Sequence, residues 1–247
     1  MLIWAAGVAI AAGPGVTGAA AQQSTEGTPG EALLARADSA YRAAGTVRAL
    51  FSQHVENRLL ARDRSGRGVW HLAPGSRVRM EYHDPEGDIL VADGRCLWIW
   101  EPSLQPGQIQ VSPVGEAGGG RAPDMIRAML DEAQRGYDIT NAGMDEPGGP
   151  GGTGAARGQG EGPWPTDRQS LRRLVLEPHG PGRYRRIELW ISEPDYLVRR
   201  IRVEEESELV RIVALSHMET GVAMPDSLFR FDPPAGVSVF SMGEPCG

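Results

Sequence analysis

The sequence predicts a mainly β protein built on one strongly curved antiparallel sheet or barrel, with helices packed against it. Three observations predict this. Apolar residues recur at every second position from Val47 to Pro113, and again from Leu174 to Phe231. Pro, Gly and Asp-Gly steps break these runs at hairpin spacing. One stretch of helical period precedes each β block, over residues 29–44 and 123–135.

The first helix opens on Thr28-Pro29-Gly30-Glu31. Thr at the N-cap, Pro at the first helical position and Glu at the third form a capping box. Leu33, Leu34, Ala37 and Tyr41 share one face, and Gly45 ends the helix. In the first β block, Val78, Met80 and Tyr82 alternate with Arg77, Arg79, Glu81 and His83, the pattern of a half-buried strand. Asp84-Pro85-Glu86-Gly87 is a turn and Asp93-Gly94 a hairpin signal. Cys96 to Trp100 is apolar on both faces and Pro102 stops it. The second helix carries Met125, Ile126, Met129, Leu130 and Ala133, and Gly136 ends it. Residues 143–165 are rich in Gly and Pro without apolar period and read as a disordered loop within the fold. The second β block runs through Leu174–Leu176, Ile187–Ile191, Leu197–Glu204, Leu209–Ser216 and Leu228–Phe231.

Composition bounds function. The chain has 247 residues, a net charge of −7 and only arginine among its 25 basic residues. No basic stripe is present, which sets nucleic acid aside. Residues 2–21 are uncharged and end in Ala19-Ala20-Ala21, a cleavage site of the A-x-A type, so 1–21 read as an export signal. Gly13, Pro14, Gly15 and Gly18 interrupt the run, against a membrane-spanning helix. No Cys follows the cleavage site, so the mature protein is not expected to be lipidated. Cys96 and Cys246 can pair in an exported protein, and Cys96 can equally be a buried thiol.

Enzyme signatures are missing. None of the five histidines sits in an HExxH frame or has Cys at metal-ligand spacing, and no GxSxG elbow occurs. Gly149-Pro150-Gly151-Gly152-Thr153-Gly154 fits GxGxxG formally. It lacks the strand before and helix after that a dinucleotide site needs, so it belongs to the loop. Glu204-Glu205-Glu206 reads as a solvated edge. No metal or cofactor is expected.

Several ordered motifs carry a resemblance. Phe51-Ser52-Gln53 opens the first strand. Gly68-Val69-Trp70, Pro74 and Glu81-Tyr82 follow, then Pro85, Leu90-Val91, Asp93-Gly94 and Leu97-Trp98. The C-terminal set is Phe229-Arg230-Phe231-Asp232-Pro233-Pro234-Ala235-Gly236-Val237. Together these resemble the LolA-type periplasmic outer-membrane lipoprotein carriers.

The resemblance implies an incomplete, open antiparallel β-barrel with helices covering its concave face, formed by residues 22–247 as one domain. It also implies a periplasmic, soluble, monomeric carrier of acylated lipoproteins. Such a carrier takes cargo from an inner-membrane lipoprotein-releasing transporter and passes it to an outer-membrane acceptor. A lipid or glycolipid carrier, or a lipid-sensing regulator of the same fold, is the alternative. The candidate acyl-chain surface is Trp70, Ile89, Val91, Trp98, Trp100, Met125, Ile126, Met129, Leu130, Trp190 and Ile191. Many relatives place an Arg before the Pro that ends the Trp strand, a residue associated with holding the lid closed. Ala73 stands there, and Arg77 is the candidate for that lid and handover role.

Overall fold

The structure is a computed structural model that describes residues 28–114, 130, 136–145 and 170–241. The proposed export signal, the loop from residue 146 to 165 and most of the second helix lie outside the described residues. One α-helix, α1 (Pro29–Ala44), precedes twelve strands. These are β1 (Val47–Asn57), β2 (Arg62–Ala73), β3 (Arg77–Asp84), β4 (Glu86–Asp93), β5 (Cys96–Trp100), β6 (Gln108–Pro113), β7 (Tyr137–Asp145), β8 (Leu171–Pro178), β9 (Tyr184–Ser192), β10 (Val198–Glu205), β11 (Leu209–Thr220) and β12 (Ser238–Ser241). A 3₁₀ turn at Asp226–Phe229 lies between β11 and β12.

All twelve strands form one open sheet in the order β12-β6-β5-β4-β3-β2-β1-β11-β10-β9-β8-β7. Each pairing is antiparallel except that of β12 with β6, which is parallel. The sheet does not close, because β12 and β7 end it on opposite sides. The open antiparallel architecture expected from the sequence is what forms.

Thr28 caps α1 as the sequence predicts. Its hydroxyl accepts from the Glu31 amide at 3.2 Å, and the Glu31 carboxylate accepts from the Thr28 amide at 2.6 Å. The apolar stripe of Leu33, Leu34, Ala37 and Tyr41 is buried. It joins one cluster with Val47, Ala49 and Phe51 of β1, Trp70 and Leu72 of β2, and the alternate residues of β3–β5 and β8–β11. The helix is about 24 Å long. Its first turn touches β7, where a Cβ on Gly30 would meet Ile139 at 3.0 Å, and its last turn feeds β1. Five strand spacings of roughly 4.8 Å separate those two strands, so α1 lies across the β1-to-β7 half of the sheet.

Two glycines are dictated by geometry. Gly94 has φ +97°, and Asp93 stabilises its turn by accepting from the amides of Arg95 and Cys96, both at 2.8 Å. At Gly68 the β2–β3 register shifts, and a Cβ would sit 1.9 Å from the Glu81 carbonyl oxygen.

Three elements differ from the sequence reading, one of them β12, which it did not contain. β7 was also absent, and its last residues, 143–145, fall in the expected loop. The alternation there is broken by a register shift between Asn141 and Met144, with Gly143 at φ +94°. Leu228–Phe231 is not a strand: Asp226–Phe229 is the 3₁₀ turn, and Phe229 is buried. Leu130 is helical and fully buried, as expected. Cys96 is disulfide-bonded, and the chain's other cysteine, Cys246, lies outside the described residues.

Gly68→Ala is expected to lower stability by about 3 kcal/mol or more, because backbone rather than a flexible side chain must give way. Urea unfolding followed by far-UV circular dichroism checks this.

Candidate functional site

Strand alternation divides the expected acyl-chain residues between the two faces of the sheet. Trp70 lies on the face that carries α1, in cross-strand register with Ala49, then through Met80 and Leu90 to Ile99. Ile191 and Leu130 belong to the same cluster. Ile89, Val91, Trp98 and Trp100 lie on the opposite face, where Ile89 pairs with Trp100 and Val91 with Trp98. Trp190 is also on that face, between Arg173 of β8 and Arg200 of β10. Their guanidinium carbons stand 5.5 and 5.1 Å from its ring centroid. Met125, Ile126 and Met129 lie outside the described residues.

The α1 face is apolar over most of its width. Leu34, Ala37, Tyr41, Val47, Leu72, Val78, Ala92 and Leu97 are fully buried there. The stripe of α1 covers the β1-to-β7 half of this face and belongs to the same cluster as Leu72, Val78, Ala92 and Leu97. Beside the helix runs an open groove of about 450 Å³, lined by Ala35, Arg36, Ser39, Ala40 and Tyr196. Arg36 donates to the Tyr196 hydroxyl at 3.3 Å.

The opposite face of β3–β6 is covered by the chain's own C-terminal segment. Phe231 packs on Trp98 and Trp100, with ring centroids at 5.8 and 6.4 Å. Arg77, the expected lid residue, is committed to this cover. It donates to the Pro74 carbonyl at 2.9 Å and to Asp226 at 2.5 Å, and it stacks over Phe229 at 5.3 Å. Arg79 donates to the Leu228 carbonyl at 3.2 Å.

The second half of that face is an ion-pair lattice. Glu188 is buried and accepts from Arg173, Arg186 and Arg202. The Glu204–Glu206 run, expected as a solvated edge, is ion-paired throughout, and Glu204 joins this lattice through Arg202. Glu204 pairs with Arg202, buried Glu205 with Arg183 and Glu206 with Arg185. No three His, Cys, Asp or Glu side chains are arranged to hold a metal among the described residues.

The sequence contained the signal for this division. Adjacent residues such as Trp190 and Ile191 must face opposite ways in a strand. The covering role of Phe229 and Phe231 carried no local signal, because it depends on contacts across more than a hundred residues.

Comparison with known proteins follows the same direction. The family described as outer membrane lipoprotein carrier protein LolA matches residues 42–117. The outer-membrane lipoprotein carrier protein of Dechloromonas aromatica is 24% identical over 195 residues, covering 78% of this chain and 80% of that one. Its namesake from Chromobacterium violaceum is 27% identical over 197 residues, covering 79% and 81%. A LolA superfamily protein from Nitrosomonas europaea aligns with a TM-score of 0.41 at 14% identity, over 82% of this chain and 97% of that one. The sequence matches bear out the resemblance carried by the motifs. No helix among the described residues is long and apolar enough to cross a membrane.

His71 stands on the outer face between Arg48 of β1 and Arg79 of β3. Burial and the two arginines hold its imidazole below the ordinary value, against a smaller opposing effect of Glu81. The folded state then binds a proton less readily than the unfolded chain. Its contribution is full at neutral pH and is lost as pH falls through about 6.5 towards the depressed value. His71→Asn is expected to reduce the loss of stability between pH 7.5 and pH 5, relative to the parent protein. Thermal melts at the two pH values measure that difference.

Proposed function

We propose that this chain, a relative of the LolA-type outer-membrane lipoprotein carriers, is a periplasmic carrier that shelters the acyl chains of lipoproteins between α1 and the sheet. The observation that carries the reading is the cover on the α1 face. One amphipathic helix packs on the β1-to-β7 half of an apolar surface that draws on nine of the twelve strands.

The physical problem is the cost of exposing lipid to water. Each acyl CH₂ contributes about 0.8 kcal/mol, so one long chain costs on the order of 10 kcal/mol. The carrier must offer a dry apolar surface that can be emptied again. Here Leu33, Leu34, Ala37 and Tyr41 pack on it. An entering acyl chain takes their place, and the apolar area that α1 uncovers offsets part of the gain. Binding is then weaker than full transfer from water, which favours release. Leaving or entering, α1 swings about its junction with β1, where Gly45 at φ +65° connects the two.

On this reading Trp70, Ile191 and Leu130 line the cargo surface, with Met125, Ile126 and Met129 as the residues expected beside Leu130. Ile89, Val91, Trp98, Trp100 and Trp190 stiffen the wall from behind. Arg77 acts at a distance, by fastening the C-terminal segment. The expected partners are an inner-membrane lipoprotein-releasing transporter and an outer-membrane acceptor. The reaction is a transfer between binding surfaces, with no bond made or broken and no cofactor.

A tripalmitoylated peptide brominated along its acyl chains tests the placement. It should quench tryptophan fluorescence on binding. Trp70→Phe should bind equally well and lose most of the quenching, while Trp98→Phe should keep it. Quenching that disappears with Trp98 and persists without Trp70 would move the cargo to the opposite face.

A further inference from the structure

The most exposed large apolar side chains among the described residues are Leu59 and Leu60, at 72% and 64%. They are neighbours at the tip of the β1–β2 hairpin. The turn is built to hold them out. The Leu60 amide donates to the Asn57 side chain at 3.0 Å, the Arg58 amide donates to the Glu208 carbonyl at 3.2 Å, and Ala61 takes φ +47°. Two adjacent leucines exposed to this degree have no role in the core.

Their surroundings are basic. Residues 58–67 contain Arg58, Arg62, Arg64 and Arg67 against the single acid Asp63, in a chain whose net charge is −7. The neighbouring acids neutralise them weakly. Arg58–Glu56, Arg64–Glu101 and Arg67–Asp84 stand 3.9, 3.5 and 3.6 Å apart, with most of these side chains well exposed. A third exposed leucine sits at the same end. Leu104, at 50%, lies in the β5–β6 turn. Buried Asp88 fixes that turn by accepting from the Ser103 amide at 3.0 Å and from its hydroxyl at 2.6 Å. Arg64 ties the hairpin to the turn through Glu101.

We infer that this end of the sheet docks on an anionic lipid surface, with Leu59 and Leu60 entering the acyl boundary and Arg58, Arg62 and Arg64 meeting the headgroup phosphates. The chemistry fits a bilayer better than a protein. The leucines stand out at the tip of a hairpin, and apolar residues flanked by arginine suit an interface that is apolar inside and anionic outside. Arginine stems follow the apolar layer while their heads stay with the phosphates. The docking needs no cargo, so its failure leaves the carrier reading standing, and the reverse also holds.

Flotation of the purified full chain with lipid vesicles tests this. The protein should float with phosphatidylcholine vesicles that contain phosphatidylglycerol and remain behind with phosphatidylcholine alone. Added salt should weaken the binding. Leu59→Asn with Leu60→Asn should keep the parent melting temperature, since both residues are exposed, and lose roughly tenfold or more in vesicle binding. Arg62→Gln should lose about fivefold. A parent protein that floats with neither vesicle, or a double variant that floats like the parent, overturns the inference. So does a parent that ignores vesicles yet crosslinks in cells to a membrane protein through Leu60, which would assign the tip to a protein partner.

Discussion

Both faces of β4 and β5 carry apolar side chains, and the rest of the structure follows from the need to cover each. Leu90, Ala92 and Leu97 point to one face, and Ile89, Val91, Trp98 and Trp100 to the other. A sheet that closes on itself would hide one face inside. This one stays open, so each face needs its own lid. The α1 stripe covers the first over the β1-to-β7 half, where it joins one apolar cluster with Leu90, Ala92, Leu97 and Leu130, and the segment from Asp226 to Ser241 covers the second at β3–β6. The two lids differ in how they are held. The C-terminal segment is fastened by the Arg77–Asp226 pair, the Arg79–Leu228 hydrogen bond, the Phe231 ring contacts and the parallel pairing of β12 with β6. The first is held chiefly by apolar contact, a force without direction that an acyl chain can replace.

The half of the sheet that α1 crosses solves its outer surface differently. There the outward positions of β8–β10 carry arginine and glutamate, and Trp190 lies between two guanidinium planes. Glu188 is buried, and taking a carboxylate out of water is costly unless it is well paired. Arg173 answers with two hydrogen bonds, at 3.1 and 2.7 Å. That fork geometry is available to arginine and not to lysine. On this outer face Arg173 and Arg200 cover Trp190, so this half presents an apolar face inward and a largely charged one to water.

Much of the fold was legible. The capping box at Thr28, the period of two through β1–β5 and the Asp93-Gly94 turn are local signals, and each forms as read. β7 was missed because Gly143 and a register shift break its alternation. β12 was missed because its four residues are all exposed and pair only at an edge. The candidate site was less legible. Large apolar residues were identifiable, but their grouping by face depended on register across five strands. Trp70 and Trp98 look alike in sequence and end on opposite faces. Asp226, the partner of Arg77, lies 149 residues away, beyond the reach of any local signal.

The central claim is that the α1 face holds acyl chains of lipoproteins. Native mass spectrometry of the protein purified from a bacterial periplasm, before and after mild collisional activation, tests it most directly. The account predicts bound masses of lipoproteins or acylated peptides that dissociate on activation. A clean unliganded mass, from protein that also fails to take up an added acylated peptide, would contradict it.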